Sequence, residues 1–196
     1  GDTIRSPELT DEQGLMRFNV VVANPPFSLD KWGHEGAGED RYGRFHRGVP
    51  PRTRGDWAFI SHMIETLDKV DGRLGVVVPH GVLFRGASEK RIRTAVLREN
   101  LLDGVIGLPA NLFYGVGIPA ALLFMRHGRR PDEGVFFIDA SRDFEKGKNQ
   151  NVLRPDDLHR VVEAWDHRTD VPRYAHMAAR EEIEANDYNL NIPLCM

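Results

Sequence analysis

Cysteine is almost absent: one residue, Cys195, stands beside the C-terminus, which excludes an internal disulfide and a cysteine-rich metal centre. Long hydrophobic runs are also missing. Every apolar stretch is broken by Gly, Pro or charge short of membrane-spanning length, and no basic-then-apolar leader opens the chain, so the expectation is a cytoplasmic protein without a membrane segment. Nor is there an excess of one charge. A net charge of −3 argues against a surface that holds nucleic acid over its whole extent, and leaves room only for local contacts. Repeats and low-complexity tracts are lacking as well.

What is present is an ordinary globular composition, 41% apolar and 28% charged over 196 residues, enough for one sizeable core. Strand-like runs alternate with helical periodicity in the α/β manner. Strands are expected at 18–23, 74–79, 102–109, 120–125 and 135–139. The "VVVA" run reads as covered on both faces. One helix should start at Asp56 as N-cap, with Trp57, Ile60, Ile64 and Leu67 on its inner face, and another should be capped by Ser88. The short "RHGRRPDEG" connection favours an antiparallel hairpin between the last two strands, at one edge of a mixed sheet. Residues 1–141 form the expected catalytic-domain part, and 142–196 a helical appendage.

The stretch "VVVANPPFS" raises the main question. A strand running into Asn24, Pro25, Pro26 and Phe27 leaves the sheet along a rigid path, because proline supplies no N–H and holds φ near −65°. A strand-ending turn is one reading. Chemistry offers another, since ligands of open α/β sheets collect at the carboxyl ends of strands. An exocyclic amine is a poor nucleophile because its lone pair is delocalised. The Asn24 amide oxygen and the Pro25 carbonyl could accept both amine hydrogens and localise that pair, while Phe27 stacks on an extruded base.

Residues 28–55 form a loop longer than most structural connections, rich in Arg with Tyr42, Phe45 and His46 interleaved, and are read as functional or mobile. His80 follows a buried strand without other metal ligands at suitable spacing, so no metal is expected. Arg85 could reach a phosphate or cap a loop. The glycine runs "GHEGAGE" (33–39) and "YGVGIP" (114–119) lack the strand-turn-helix setting of a cofactor loop.

The segments "FNVVVANPPFS", "DWAFISHMIETL", "GRLGVVVPHGVLFRG", "LLDGVIGLPANLFYGVGIPAALLFM", "FIDASRDFEKGKNQNVL" and "EEIEANDYNLNIP", in that order, resemble the modification (methyltransferase) subunits of type I restriction-modification systems. These are adenine-N6 DNA methyltransferases that use S-adenosylmethionine. The resemblance implies a Rossmann-like methyltransferase fold in which Asn24, Pro25, Pro26 and Phe27 match the catalytic motif that holds a flipped adenine. It implies S-adenosylmethionine as cofactor. DNA, a separate specificity subunit and a restriction (nuclease-translocase) subunit are the implied partners. The loop after the motif lies near DNA in the family, which singles out Arg44, Arg47 and Arg52 for phosphate contacts. The family's glycine-rich cofactor loop precedes the motif strand, which here opens near residue 18. The chain is therefore expected to be truncated on its N-terminal side and inactive alone. Two alternatives stay open: a protein-glutamine N5 methyltransferase, whose amide nitrogen poses the same electronic problem, and a non-catalytic subunit-docking module.

Overall fold

The computed structural model describes residues 1–191; Cys195 and the last two residues of "NDYNLNIP" lie outside them. A small hairpin of β1 (Thr10–Asp11) and β2 (Gly14–Leu15) precedes β3 (Val20–Ala23), and the loop that follows runs to α1 (Asp56–Glu65). Next come β4 (Arg73–Pro79), α2 (Ala87–Arg98), β5 (Leu102–Gly107), β6 (Ala120–Arg126) and β7 (Val135–Asp139). A second hairpin, β8 (Glu145–Lys146) with β9 (Asn151–Val152), leads to α3 (Pro155–His167), β10 (Ala175–Ala178) and α4 (Arg180–Ala185).

Six strands form one mixed sheet in the order β10-β7-β5-β6-β4-β3. β3 is parallel to β4, β6 runs antiparallel to both β4 and β5, and β5 is parallel to β7. The carboxyl ends of β3, β4, β5 and β7 therefore share one edge, where sheets of this class place their ligands. The sheet is mixed, as expected, with an antiparallel pair at its edge, but that pair is β7 with β10. The proposed β6–β7 hairpin does not form, because β5 lies between the two strands. Their connection crosses the start of β5 instead. Arg129 Nη1 donates to Asn100 Oδ1 at 2.9 Å, and Asn100 Nδ2 donates to the Arg130 carbonyl at 2.9 Å.

One face of the sheet is covered by α1, α2 and the α4 region. Trp57, Ile60, Ile64, Ile92, Val96, Ile183 and Leu190 pack there with the inward residues of the strands. α3 covers the other face over β5, β6 and β7, where the Trp165 ring lies 4.5 Å from that of Phe124. Gly104 makes this approach possible: a Cβ there would stand 2.6 Å from Trp165 Cζ3 and 2.8 Å from the Phe136 carbonyl.

Three expectations are corrected. β3 is not covered on both faces: Val21 and Ala23 pack on the core, whereas Val20 is 65% and Val22 75% exposed. It is an edge strand beyond the reach of α3. Residues from 142 onward are not an appendage, since β10 completes the sheet and Ile183 joins the main core. Helix starts also shift: Gly55 caps α1 and Gly86 caps α2, so neither Asp56 nor Ser88 serves as N-cap.

Candidate functional site

Residues 24–27 leave β3 at the shared carboxyl edge. The last paired residue of β3, Ala23, stands opposite Val76, so β4 continues beyond it to Pro79, with His80 opening the turn that follows. Asn24 and Pro26 are exposed, while Pro25 and Phe27 are partly buried. Among the described residues the Asn24 amide has no hydrogen-bond partner. The Phe27 ring meets that of Phe113 edge to face, with centroids 6.0 Å apart and planes at 77°. Phe113 comes from the 108–119 loop between β5 and β6, so that loop forms a wall beside the motif.

The chain then turns sharply. Ser28 has φ 49°, a left-handed conformation uncommon for residues other than glycine. It is held there by Asp56 at the start of α1. The Ser28 N–H donates to Asp56 Oδ1 at 2.7 Å and the Ser28 hydroxyl to Oδ2 at 3.3 Å. Arg85 Nη1 donates to Asp56 Oδ2 at 2.9 Å, and its Nη2 lies 3.4 Å from Ser28 Oγ. Asp56 is 3% exposed, so its carboxylate is spent on this turn. The local sequence suggested helix capping for Asp56, because its real partners lie 28 and 29 residues away. Behind Arg85, Glu89 is 1% exposed and neither of its carboxylate oxygens has a hydrogen-bond partner. Arg85 Nη1 stands 3.6 Å from it, an ion-pair distance. Burial holds the Glu89 carboxyl above its ordinary value. His80, stacked edge-on against Phe84, is held below its ordinary value by burial.

The arginine-rich loop is ordered around a small core of its own, with Trp32 buried at its centre and Trp32 Nε1 donating to the Pro51 carbonyl at 2.9 Å. This overturns two expected phosphate contacts. Arg44 is 4% exposed and donates to Asp40, to the Thr3 and Ile4 carbonyls and toward His62 Nδ1. Arg47, 7% exposed, donates to both oxygens of Glu99 and, at 2.8 Å, to Glu65 Oε1. Both guanidinium groups are buried and spent on structure, so neither can present its charge to a phosphate. Burial beside Arg44 pushes the His62 imidazole down to about 4. Arg52 is exposed, as are Arg41 and Arg54.

No cluster of three or more potential metal ligands occurs among the described residues. The two glycine runs do not fit a cofactor loop. Residues 33–39 form a 3-10 turn within the loop, and 114–119 lie between two strands, so neither joins a strand to a helix. Nor do the described helices include one long and apolar enough to cross a membrane.

A family model described as N-6 DNA Methylase matches residues 1–196. The type I restriction enzyme MjaVII methylase subunit of Methanocaldococcus jannaschii is 31% identical over 99% of this chain and 34% of its own length. The MpnII methylase subunit of Mycoplasma pneumoniae is 30% identical over 89% of this chain and 32% of its own. The chain thus spans about a third of the length of these relatives. Among solved structures, the type I restriction-modification system methyltransferase subunit from Streptococcus thermophilus superposes with a TM-score of 0.91 at 40% identity, covering 100% of this chain and 41% of that one. The EcoKI M protein, at 21% identity and a TM-score of 0.67, shares the fold. The chain belongs to the N-6 DNA methylase family, and the relatives named above are methylase subunits of type I restriction enzymes.

Proposed function

We propose that this chain supplies the target-amine site of an S-adenosylmethionine-dependent adenine-N6 DNA methyltransferase, the modification subunit of a type I restriction-modification system. The observation that carries the reading is the exposed Asn24 amide, without a hydrogen-bond partner among the described residues and presented by a proline-stiffened turn at the carboxyl edge of the sheet. The Asn24 Oδ1 and the Pro25 carbonyl accept the two hydrogens of the adenine amine. Its nitrogen is thereby drawn toward a tetrahedral geometry with the lone pair available for attack. Phe27, steadied by Phe113, stacks on the flipped base. None of these groups titrates near neutrality, so the site works by preorganised polarity rather than by general-base catalysis.

S-adenosylmethionine supplies the methyl group in this reaction, and neither glycine run, 33–39 or 114–119, joins a strand to a helix as a loop holding it would. The exposed valines of β3 support a reading in which a further part of the protein lies along that edge. DNA and a specificity subunit are the partners proposed for the whole protein, with a restriction subunit joining the assembly. Of Arg44, Arg47 and Arg52, only Arg52 is exposed and available to a phosphate, and Arg41 and Arg54 of the same loop are exposed as well.

The test is methyl transfer to duplex DNA by the full-length subunit with its specificity partner, wild type against Asn24→Ala. Because Asn24 is exposed, the substitution should leave stability unchanged and lower kcat by about 100-fold or more, the usual cost of removing one preorganised polar group. Activity within threefold of wild type would remove Asn24 from the mechanism. Transfer to a glutamine peptide rather than DNA would reassign the substrate.

A further inference from the structure

The turn that carries the motif is held by groups outside the motif, and they form one connected set. Asp56 accepts the Ser28 N–H at 2.7 Å and Arg85 Nη1 at 2.9 Å, on different carboxylate oxygens. Arg85 is itself braced from behind: its carbonyl accepts Arg93 Nη1 at 3.0 Å, and its N–H donates to the Gly81 carbonyl at 2.9 Å. Gly81 leaves room for the path the Arg85 side chain takes to Asp56. A Cβ there would stand 2.4 Å from Arg85 Nε and 2.7 Å from Cζ, so the guanidinium would have to move off that path. The clearance is a matter of space, not of a special backbone angle. Glu89, buried and without a hydrogen bond, adds a second carboxylate 3.6 Å from Arg85 Nη1.

Without these contacts nothing in the local sequence would keep Ser28 at φ 49°. The two acceptor oxygens proposed to bind the amine sit three and four residues before it, on the stiffest part of the chain. Prolines transmit an error in the turn rather than absorb it, because their φ cannot relax. We infer that Asp56 and Arg85 are positioning residues for methyl transfer: with Gly81 as the clearance, they lock the Ser28 turn and thereby set the aim of the Asn24 and Pro25 oxygens. This rests on the proposed function of those two oxygens. The lock acts on the geometry of the bound amine, so it governs kcat and leaves the affinity for DNA and cofactor nearly unchanged.

Asp56→Asn keeps the shape and the acceptor for Ser28 N–H but turns an amide N–H₂ toward Arg85, donor against donor. Gly81→Ala touches no polar group of the lock and displaces only the flexible end of Arg85. In the full-length subunit both should lower kcat, Asp56→Asn by about 10- to 100-fold, while KM for DNA and for S-adenosylmethionine stays within about threefold. Arg85→Lys, which keeps a cation beside Asp56, should retain more activity than Arg85→Ala. Hydrogen exchange on the 196-residue chain gives a readout independent of catalysis. The Ser28 amide should be protected in wild type and exposed by Asp56→Ala, which removes its acceptor, with amides in the middle of α1 unchanged. Wild-type kcat in both Asp56→Asn and Gly81→Ala, or a Ser28 amide that exchanges freely in wild type, would overturn the lock. A wild-type subunit that methylates no DNA would instead sink the functional reading, and the exchange data would still decide whether the lock exists.

Discussion

Arg47 shows how a residue type misleads when its partners are distant in sequence. Its loop reads as a basic surface, yet Glu65 and Glu99, 18 and 52 residues away, take up its guanidinium. Removing it strands two carboxylates. Glu65 keeps Lys69 at 3.1 Å and Glu99 is 39% exposed at its side chain, so water and lysine recover part of the loss. Arg47→Ala should therefore cost about 2 kcal/mol, below the usual penalty for breaking a fully buried pair. Arg52→Ala, on the surface, should stay within about 0.5 kcal/mol. Urea denaturation of both variants checks this, and equal midpoints would return Arg47 to the surface. The 24–27 turn could be proposed from sequence because its groups are local: amide, two prolines and ring are adjacent. The role of Asp56 could not, since only the fold brings it to Ser28.

Strands and helices were legible where periodicity and burial agree. "LGVVVP", "LDGVIG" and "VFFID" lie in β4, β5 and β7, and Trp57, Ile60 and Ile64 line the inner face of α1 as their spacing requires, while Leu67 joins the same core from just beyond the helix end. Pairing was less legible. A short connection between β6 and β7 suggested neighbours, but Arg129 and Asn100 carry that connection across the start of β5. β10 escaped notice altogether, because "AHMA" has no strand signature and is specified by its place beside β7. On that edge strand His176 sits between Asp170 Oδ2 and Glu182 Oε2, each 3.1 Å from a ring nitrogen. Burial opposes protonation there, but the hydrogen bonds to Glu182 and Asp170 outweigh it and hold the imidazole above its ordinary value. A raised folded-state value means the folded state binds the proton more tightly. The resulting stability is fully present below the unfolded value of about 6.5 and is lost as pH rises through the higher folded value. Wild type should thus lose stability relative to His176→Gln as pH rises from about 6.5 through the higher folded value, by a modest amount because the carboxylates are largely exposed. Parallel pH profiles for the two proteins would show that the charged bridge contributes nothing.

At the scale of the whole molecule the sheet is finished at one end and open at the other. β10 closes its edge with a short strand whose His176 carries paired charges, a common way of blunting an edge. β3 has no such guard. Val20 and Val22 are exposed, Leu9 (61% exposed) and Met16 (37%) lie in the preceding segment, and the outer backbone groups of β3 have no strand partner among the described residues. An apolar, unpaired strand edge is a template for another chain, and the net charge of −3 offers little repulsion to prevent it. The 196-residue chain on its own should therefore associate through β3 as concentration rises. Val22→Lys places a charge on the exposed face without touching Val21 or Ala23, which carry the packing, so it should shift the chain toward monomer without lowering its melting temperature. Sedimentation velocity across a concentration series reads both forms. If wild type stays monomeric throughout, β3 is guarded by something other than pairing; if Val22→Lys associates as strongly as wild type, the contact lies elsewhere. In the full-length subunit, where the proposed remainder of the protein covers β3, the same substitution should instead destabilise the fold, because Val22 would then be buried and a lysine there would lose its water.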